Sequence, residues 1–356
     1  MIESFEAENF KVFNRFQMRG ITPLTLVSGH NNAGKTSLLE ALFLFFDHRS
    51  PEVFAKLCHM RSGYVEAQTR IWEPLFHKLD VSEGMKLRLC TNEKKEASLI
   101  FKKDHSFVPS TKTAPSPEMM GQLLSSVRSS YSLEFEYVTG DYRETGHFSA
   151  SPTGILLNID TSLEHNEQKP MKWTLLIHST AARATQDLVE WIGNLEIQGK
   201  KETALEVLRL FSPDIQDVFS ASQNGLVQLY VKGKNGVIPL KYAGDGMIRL
   251  LYIMAAIVSN PNSLILIDEI ENGFHYSVYE ELWRMLATIA KDNCCQIIAT
   301  SHSYENIQSA YEGVKAAKQL DAFSLHRLER RDDSIVDNCY EADLIEAALD
   351  ANMEVR

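Results

Sequence analysis

Eight residues constrain this chain more than any others: Gly29-His30-Asn31-Asn32-Ala33-Gly34-Lys35-Thr36, set between an apolar run and a run of helical periodicity. The pattern GxxxxGK[ST] is the P-loop. Its glycines let backbone N–H groups turn inward on phosphate oxygens, and the helix that follows adds its N-terminal dipole. Lys35 brings a point charge to the β and γ phosphates, and Thr36 a hydroxyl to Mg²⁺. The loop works only as the turn of a strand–turn–helix unit, so its flanks matter as much as its glycines. Pro23 to Val27 predicts a short buried strand, and Leu38, Leu39, Ala41, Leu42, Phe45 and Phe46 fall at helical spacing. His30 occupies a variable position of the pattern and needs no contact with a ligand.

Alternating strand and helix patterns return in the last third. A hairpin-like pair, 226–231 and 237–240 with Lys234-Asn235-Gly236 between, leads into Tyr242-Ala243-Gly244-Asp245-Gly246. The spacing then predicts a helix over 247–258, a strand over 263–268, a helix over 278–290, a strand over 296–300, a short helix after Ser303 and a strand over 323–326. Such alternation means a mostly parallel sheet covered by helices. The strand ending at Asp268 delivers two acids, Asp268 and Glu269. Beside a P-loop, Asp268 would hold the Mg²⁺ directly or through water, and Glu269 would polarise the attacking water. Thr300-Ser301-His302-Ser303 follows the next strand, which puts His302 on the same rim; a surface or capping histidine is the plainer reading. Gly244 and Gly246 leave backbone N–H groups open at the start of a helix, a second anion-binding helix end. An ordinary glycine turn would look the same.

The rest of the chain has a different texture. Ile2 to Phe10 alternates and reads as a strand with one apolar face. Between 86 and 177, short β-like runs (86–90, 97–101, 132–138, 154–159, 173–177) are separated by polar loops, one of them the Pro/Ser/Thr-rich stretch 108–117, and read as an antiparallel β region. Residues 183–211 have helical spacing, broken at Gly199 and ended by Ser212-Pro213, well short of a sustained coiled coil. Three spans result: a lobe over 1–177 with the P-loop and the β region, a helical insertion over 178–225, and a second lobe over 226–356. There are no internal repeats. With 36 Lys and Arg against 47 Asp and Glu, the net charge of −11 argues against a chain that mainly coats duplex DNA, although a local basic groove is compatible with it. No apolar run is long enough to span a bilayer, and the first residues lack a signal-peptide pattern. The five cysteines show no CxxC spacing, so reduced thiols, a cytoplasmic location and no membrane partner are expected. Cys294-Cys295 reads as the lead-in to a buried strand.

The order of these elements, with Glu269 directly after Asp268, resembles the ABC-type ATPases. Tyr242-Ala-Gly-Asp-Gly-Met-Ile-Arg249 looks like their signature loop, with Arg249 at the family's arginine position. The opening Ile2 to Phe13, Ile267-Asp-Glu-Ile-Glu-Asn-Gly-Phe-His275, Ile298-Ala-Thr-Ser-His-Ser303 and the ending Met353-Glu-Val-Arg356 are similar to the RecF/SMC/OLD-like group. Within it they resemble small AAA-family ATPases of bacterial anti-phage defence operons, such as the ATPase subunit of PARIS. The likeness spans both ends of the chain and covers 90–225 only in general plan.

The resemblance implies an α/β, ABC-type (RecF-like) P-loop NTPase fold with a mixed sheet, an antiparallel β subdomain and a short helical insertion. It also implies ATP and Mg²⁺. Gly29, Asn31, Asn32, Ala33, Gly34, Lys35, Thr36 and Ser37 would surround the phosphates, Thr36 and Asp268 the metal, and Glu269, His302 and Lys35 would act in hydrolysis. Ala243, Gly244, Asp245 and Gly246 would meet the γ-phosphate of a nucleotide held by a second copy, with Asn272 to His275 as a D-loop along that interface. In this family the P-loop and the signature loop lie on opposite sides of the fold. One chain is therefore half a site, and a head-to-tail homodimer or higher oligomer completes it. Ala243 stands where the common ABC serine would be, which removes one hydroxyl contact, and Asp245 replaces a glycine. Gln68 is a candidate for the glutamine loop by position, and a structural glutamine reads equally well there.

Three functional readings remain open. In the first, ATP joins two chains, hydrolysis releases them, and a separate effector, a nuclease or toxin, reads the state under a phage-encoded trigger. No second acidic cluster of the Toprim kind follows residue 303, and the acidic tail 341–354 has the spacing of a solvated helix face. The second is a RecF-like DNA-repair ATPase that binds DNA, against which the net charge counts. The third is a transporter motor, against which the β region counts.

Overall fold

Strands account for most of the early chain because buried and partly exposed residues alternate along it. In the computed structural model the described residues are 1–51, 53–54, 56–57, 72–104, 132–151, 154–160, 174–178, 186–223 and 225–350. Gln68, the stretch 108–117, Trp173, Arg183 and the ending 353–356 lie outside them. The first elements are β1 (Ile2–Phe10), β2 (Phe13–Arg19), β3 (Leu24–Ser28), α1 (Lys35–Asp47), β4 (Met85–Thr91) and β5 (Glu96–Asp104). Then come β6 (Ser132–Thr139), β7 (Tyr142–Ser151), β8 (Gly154–Asp160), β9 (Thr174–Ile177), α2 (Gln186–Ile197) and α3 (Lys201–Arg209). The chain continues with β10 (Asp217–Gln223), β11 (Leu226–Gly233), β12 (Gly236–Pro239), α4 (Asp245–Ser259) and β13 (Leu264–Ile267). Last are α5 (Tyr279–Asp292), β14 (Gln296–Thr300), α6 (Tyr304–Ala316), β15 (Phe323–Arg331), β16 (Ser334–Tyr340) and α7 (Ala342–Asp350). None of the described helices is long and apolar enough to cross a membrane.

Two compact units emerge, each assembled from three chain segments. One comprises Met1–Ile21, Asn32–Pro170 and Leu328–Asp337; the other comprises Thr22–Asn31, Met171–Arg327 and Asn338–Arg356. The first unit is built on a seven-stranded antiparallel sheet of order β2-β1-β4-β5-β6-β7-β8. Alternate residues of its strands, among them Leu87, Leu99, Phe101, Leu133 and Phe135, are buried, as expected where an antiparallel sheet covers a core on one face only. The end of α1 docks on that face: Phe45 meets Tyr137 edge-on at 5.9 Å and His48 stacks on Tyr137 at 4.8 Å. A Lys11–Glu40 ion pair at 2.6 Å, almost wholly buried, joins the same helix to the β1–β2 turn. Strict alternation would place Ile2 opposite Phe5. A register shift between Ile2 and Ser4 rotates Ile2 instead, so Ile2, Phe5 and Ala7 are all buried.

The second unit carries a six-stranded sheet of order β16-β15-β3-β14-β13-β9, parallel from β15 through β9. Every residue of β3, β13 and β14 is buried, as expected of a sheet covered on both faces. Helix α4 is buried from Ile248 to Val258 and packs against α2, α3 and α5, with Trp191 and Tyr252 rings 5.0 Å apart. A small antiparallel sheet, β10-β11-β12, completes this unit. The chain is thus α/β, with a mixed sheet beside antiparallel ones.

Strands β2, β7, β10 and β16 have no counterpart in the sequence reading. Tyr142–Ser151 and Asp217–Gln223 are mostly polar or small, and in β2 the buried Phe13, Phe16 and Met18 depart from strict alternation. Their strand state comes from neighbours that complete their ladders. Gly199 separates α2 from α3 as expected, and α4 begins two residues earlier than the spacing implies. Of the adjacent cysteines, Cys295 is buried while Cys294, with φ 53°, turns outward.

Candidate functional site

Parallel register brings the candidate residues of the second unit to one rim. Leu26 lies opposite Ala299, Ala299 opposite Ile267, and Ile267 opposite Ile177, so β3, β14, β13 and β9 end together. Beyond that row leave Ser28-Gly29, Ser301-His302 and Asp268-Glu269. This is the carboxyl edge of a parallel sheet, where open α/β sheets bind ligands.

Asp268 is buried, and its Oδ1 accepts a 2.8 Å hydrogen bond from the Thr300 hydroxyl. The same hydroxyl accepts from the Glu269 N–H at 2.8 Å. Thr300 thereby locks the two acids to the next strand. Glu269 takes φ 46°, a left-handed conformation that costs a side-chain-bearing residue roughly 1–3 kcal/mol and that clusters at functional sites. Arg249, 2% exposed, donates to the carbonyls of His178 at 3.0 Å, Asp268 at 2.8 Å and Glu269 at 3.0 Å. Burial lowers its pKa, while Asp268, Glu271 and Glu269 oppose that shift. Arg249 therefore ties the acid-bearing turn to the end of β9.

In the P-loop, Gly29, Asn32 and Gly34 all have positive φ, at 135°, 64° and 96°. Gly34 is the N-cap of α1, and its carbonyl accepts from Leu38 N at 2.8 Å. A Cβ on Gly34 would come within 3.0 Å of Phe13 and Val12 side chains, so both its conformation and its surroundings require glycine. Ala33, Gly34 and Ser37 are buried, Lys35 and Thr36 half-buried, and His30, Asn31 and Asn32 exposed. Lys35 opens the helix, where backbone N–H groups have no intrahelical acceptor and favour an anion.

Ahead of α4, Tyr242, Gly244 and Asp245 are exposed, Ala243 is half-buried and Gly246 is buried. Gly244 has φ −59° and open space around it, so none of the described residues demands glycine there. At Gly246 an added Cβ would overlap the carbonyl oxygen of Gly273, which seats this turn on the segment Asn272 to His275.

One residue escaped the sequence reading. Glu271, 6% exposed, uses Oε1 to accept from the Ser301 hydroxyl at 2.9 Å and the His302 N–H at 2.8 Å, with His302 Nδ1 at 3.0 Å. Its only sequence signal was position, two residues past Glu269 at the end of an apolar strand.

Known proteins resemble this chain in sequence and in fold. A family profile described as "AAA domain, putative AbiEii toxin, Type IV TA system" matches residues 85–307, and a second, "AAA ATPase domain", matches residues 1–137. An "ATP/GTP phosphatase" of Helicobacter pylori (strain ATCC 700392 / 26695) is 24% identical over 97% of both chains. Among solved structures, an SMC head bound to the C-terminal winged-helix domain of ScpA superposes with TM-score 0.52 at 13% identity, covering 96% of this chain and 98% of that one. The SMC head domain from Thermotoga maritima covers 96% and 99% at 12% identity and TM-score 0.46. The fold is that of an SMC-head, ABC-type P-loop ATPase.

Proposed function

This chain belongs to the AAA-domain family whose profile spans residues 85–307, and from that membership we propose that it binds ATP and hydrolyses it with the residues on the rim and in the P-loop. The observation that carries the reading is the shared rim: strands ending in a P-loop, in Asp268-Glu269 and in Ser301-His302 lie side by side in parallel register. Gly29, Asn31, Asn32, Ala33, Gly34, Thr36 and Ser37 cradle the phosphates, and Lys35 neutralises charge on the β and γ groups. Thr36 and Asp268 offer a hydroxyl and a carboxylate, hard oxygen donors that suit Mg²⁺, which usually keeps phosphate and water oxygens as its other ligands. When bound, that ion neutralises charge developing on the phosphates. Glu269 orients and polarises the attacking water, and His302 contacts the transferred group. Gly244, exposed and with no need for glycine among the described residues, supports a close approach by a nucleotide held on a second copy, to which Ala243, Asp245 and Gly246 also contribute.

The finer role is a nucleotide-driven switch in a bacterial anti-phage defence complex. ATP joins two copies head to tail, hydrolysis releases them, and a separate nuclease or toxin reads the state when a phage-encoded trigger is met. The toxin–antitoxin wording of the family description supports a defence setting. A specific observation favours a second reading, a RecF-like DNA-binding ATPase: a groove on the first unit's sheet is lined by Arg19, Lys86, Arg88, Lys94 and Lys95 against Glu6, Glu96 and Asp141. Duplex DNA that stimulates turnover, in a manner abolished by salt, would select it.

The test is phosphate release from ATP by the purified chain. Lys35→Ala is expected to lose ATP binding. Glu269→Gln is expected to keep binding while kcat falls about 10²–10⁴-fold, the usual reach of a general base. Turnover by Glu269→Gln at the parent rate removes Glu269 from its role.

A further inference from the structure

The geometry points to Glu271 as the residue that positions His302, a carboxylate–imidazole pair behind the rim that fixes which ring nitrogen faces the nucleotide. The inference rests on the ATPase reading above.

Two donors and a ring nitrogen converge on a single oxygen. Glu271 Oε1 accepts from the Ser301 hydroxyl at 2.9 Å and from the His302 backbone N–H at 2.8 Å, and it lies 3.0 Å from His302 Nδ1. The two hydrogen bonds hold the segment that carries the histidine, and the short approach sets the carboxylate against one edge of the ring. A carboxylate 3.0 Å from Nδ1 favours the proton on that nitrogen and leaves Nε2 to work, the arrangement by which carboxylates set the tautomer and orientation of functional imidazoles. Glu271 is 6% exposed at its side chain, while the His302 side chain is 55% exposed, so a buried anchor holds an accessible ring.

A structural cap would not need this chemistry. Glu271 Oε2 is buried with no hydrogen-bond partner among the described residues. Burying a carboxylate with one oxygen unsatisfied is costly, and a neutral side chain could accept the same backbone N–H without that cost. What a neutral group cannot supply is a charged acceptor for the imidazole, the stronger kind of hydrogen bond. Arg249 on α4 and the neutral phenol of Tyr279 at the start of α5 lie within electrostatic reach of Glu271. Arg249 is itself occupied by three carbonyls, so Glu271 remains the partner of the histidine.

The test is a double-mutant cycle on steady-state ATP turnover, with a ring spectrum beside it. Glu271→Gln is expected to lower kcat about 10- to 100-fold, the effect typical of a residue that orients a ligand or catalyst, with KM for ATP changed less than about threefold. In a His302→Ala background the same substitution is expected to cost less than about twofold, because its effect runs through the ring. A hydrolysing parent in which the two losses multiply overturns the proposal alone. A parent that hydrolyses no ATP overturns the ATPase reading, and this role with it. The ¹⁵N resonances of His302, assigned by difference against His302→Ala, report the ring without turnover. The parent is expected in the Nδ1–H form, and Glu271→Gln is expected to gain Nε2–H. A ring spectrum unchanged by the substitution overturns the proposal. Should Glu271→Gln unfold at assay temperature, Glu271→Asp, which withdraws the carboxylate by one methylene, is read by the same two criteria.

Discussion

At the scale of single residues, His48 shows how position sets chemistry. Its Nδ1–H donates to the Phe45 carbonyl at 2.7 Å, its ring stacks on Tyr137, and burial pushes its pKa down to about 4, against smaller upward pulls from that hydrogen bond and from Glu144. The unfolded chain takes up a proton near pH 6.5 and the folded chain resists until about pH 4. The stability this histidine contributes is therefore complete above the unfolded value and is lost as pH falls between the two. Urea unfolding at pH 5 is expected to give a free energy about 2 kcal/mol lower than at pH 7 from this residue. The His48→Phe protein is expected to lose that part of the pH dependence, and an identical slope in both proteins would contradict the assignment. Arg49, bound to Glu144 and Tyr142 beside it, is a neighbouring tie between the end of the P-loop helix and β7.

At the scale of elements, close backbone approach decides where helices can lie. Helices α5 and α6 meet at Gly313, where an added Cβ would overlap the Glu280 carbonyl oxygen and come within 2.8 Å of Trp283 Cβ. Trp283 in turn donates its Nε1–H to Asn306 at 3.0 Å in the buried interior of the same pair. Because both neighbours belong to a packed helix, they cannot move aside cheaply. Gly313→Ala is expected to cost about 1–3 kcal/mol by denaturant unfolding, despite alanine's better helix propensity. A gain in stability would show that the helices are free to slide apart. The same logic joins Gly246 to Gly273: the turn before α4 and the turn after β13 touch through backbone because neither glycine has a side chain at that contact.

At the scale of the whole molecule, each compact unit draws on three chain segments, and the P-loop crosses from one to the other between Asn31 and Asn32. The proposed function adds a second copy, whose nucleotide would meet the exposed turn before α4. Light scattering is expected to show Glu269→Gln doubling in mass with ATP and Mg²⁺, while Lys35→Ala stays at the mass of the nucleotide-free chain. Equal masses with and without nucleotide would contradict the shared-site account.

The sequence by itself determined whatever is written in contiguous residues: the P-loop, the strand ending in Asp268-Glu269, the turn before α4, and the alternation that makes a parallel sheet. Each is carried by local periodicity or by a fixed spacing of residue types, so no partner elsewhere in the chain is needed to read it. Only the tertiary structure decided that Glu271 stands behind His302, some 31 residues further on, that Thr300 bonds Asp268 and Glu269, and that Gly246 lies on Gly273. It also made strands of β2, β7, β10 and β16. A hydrogen bond or a backbone contact between distant segments leaves no period in the chain, because its energy is settled only once strands have paired and helices have packed.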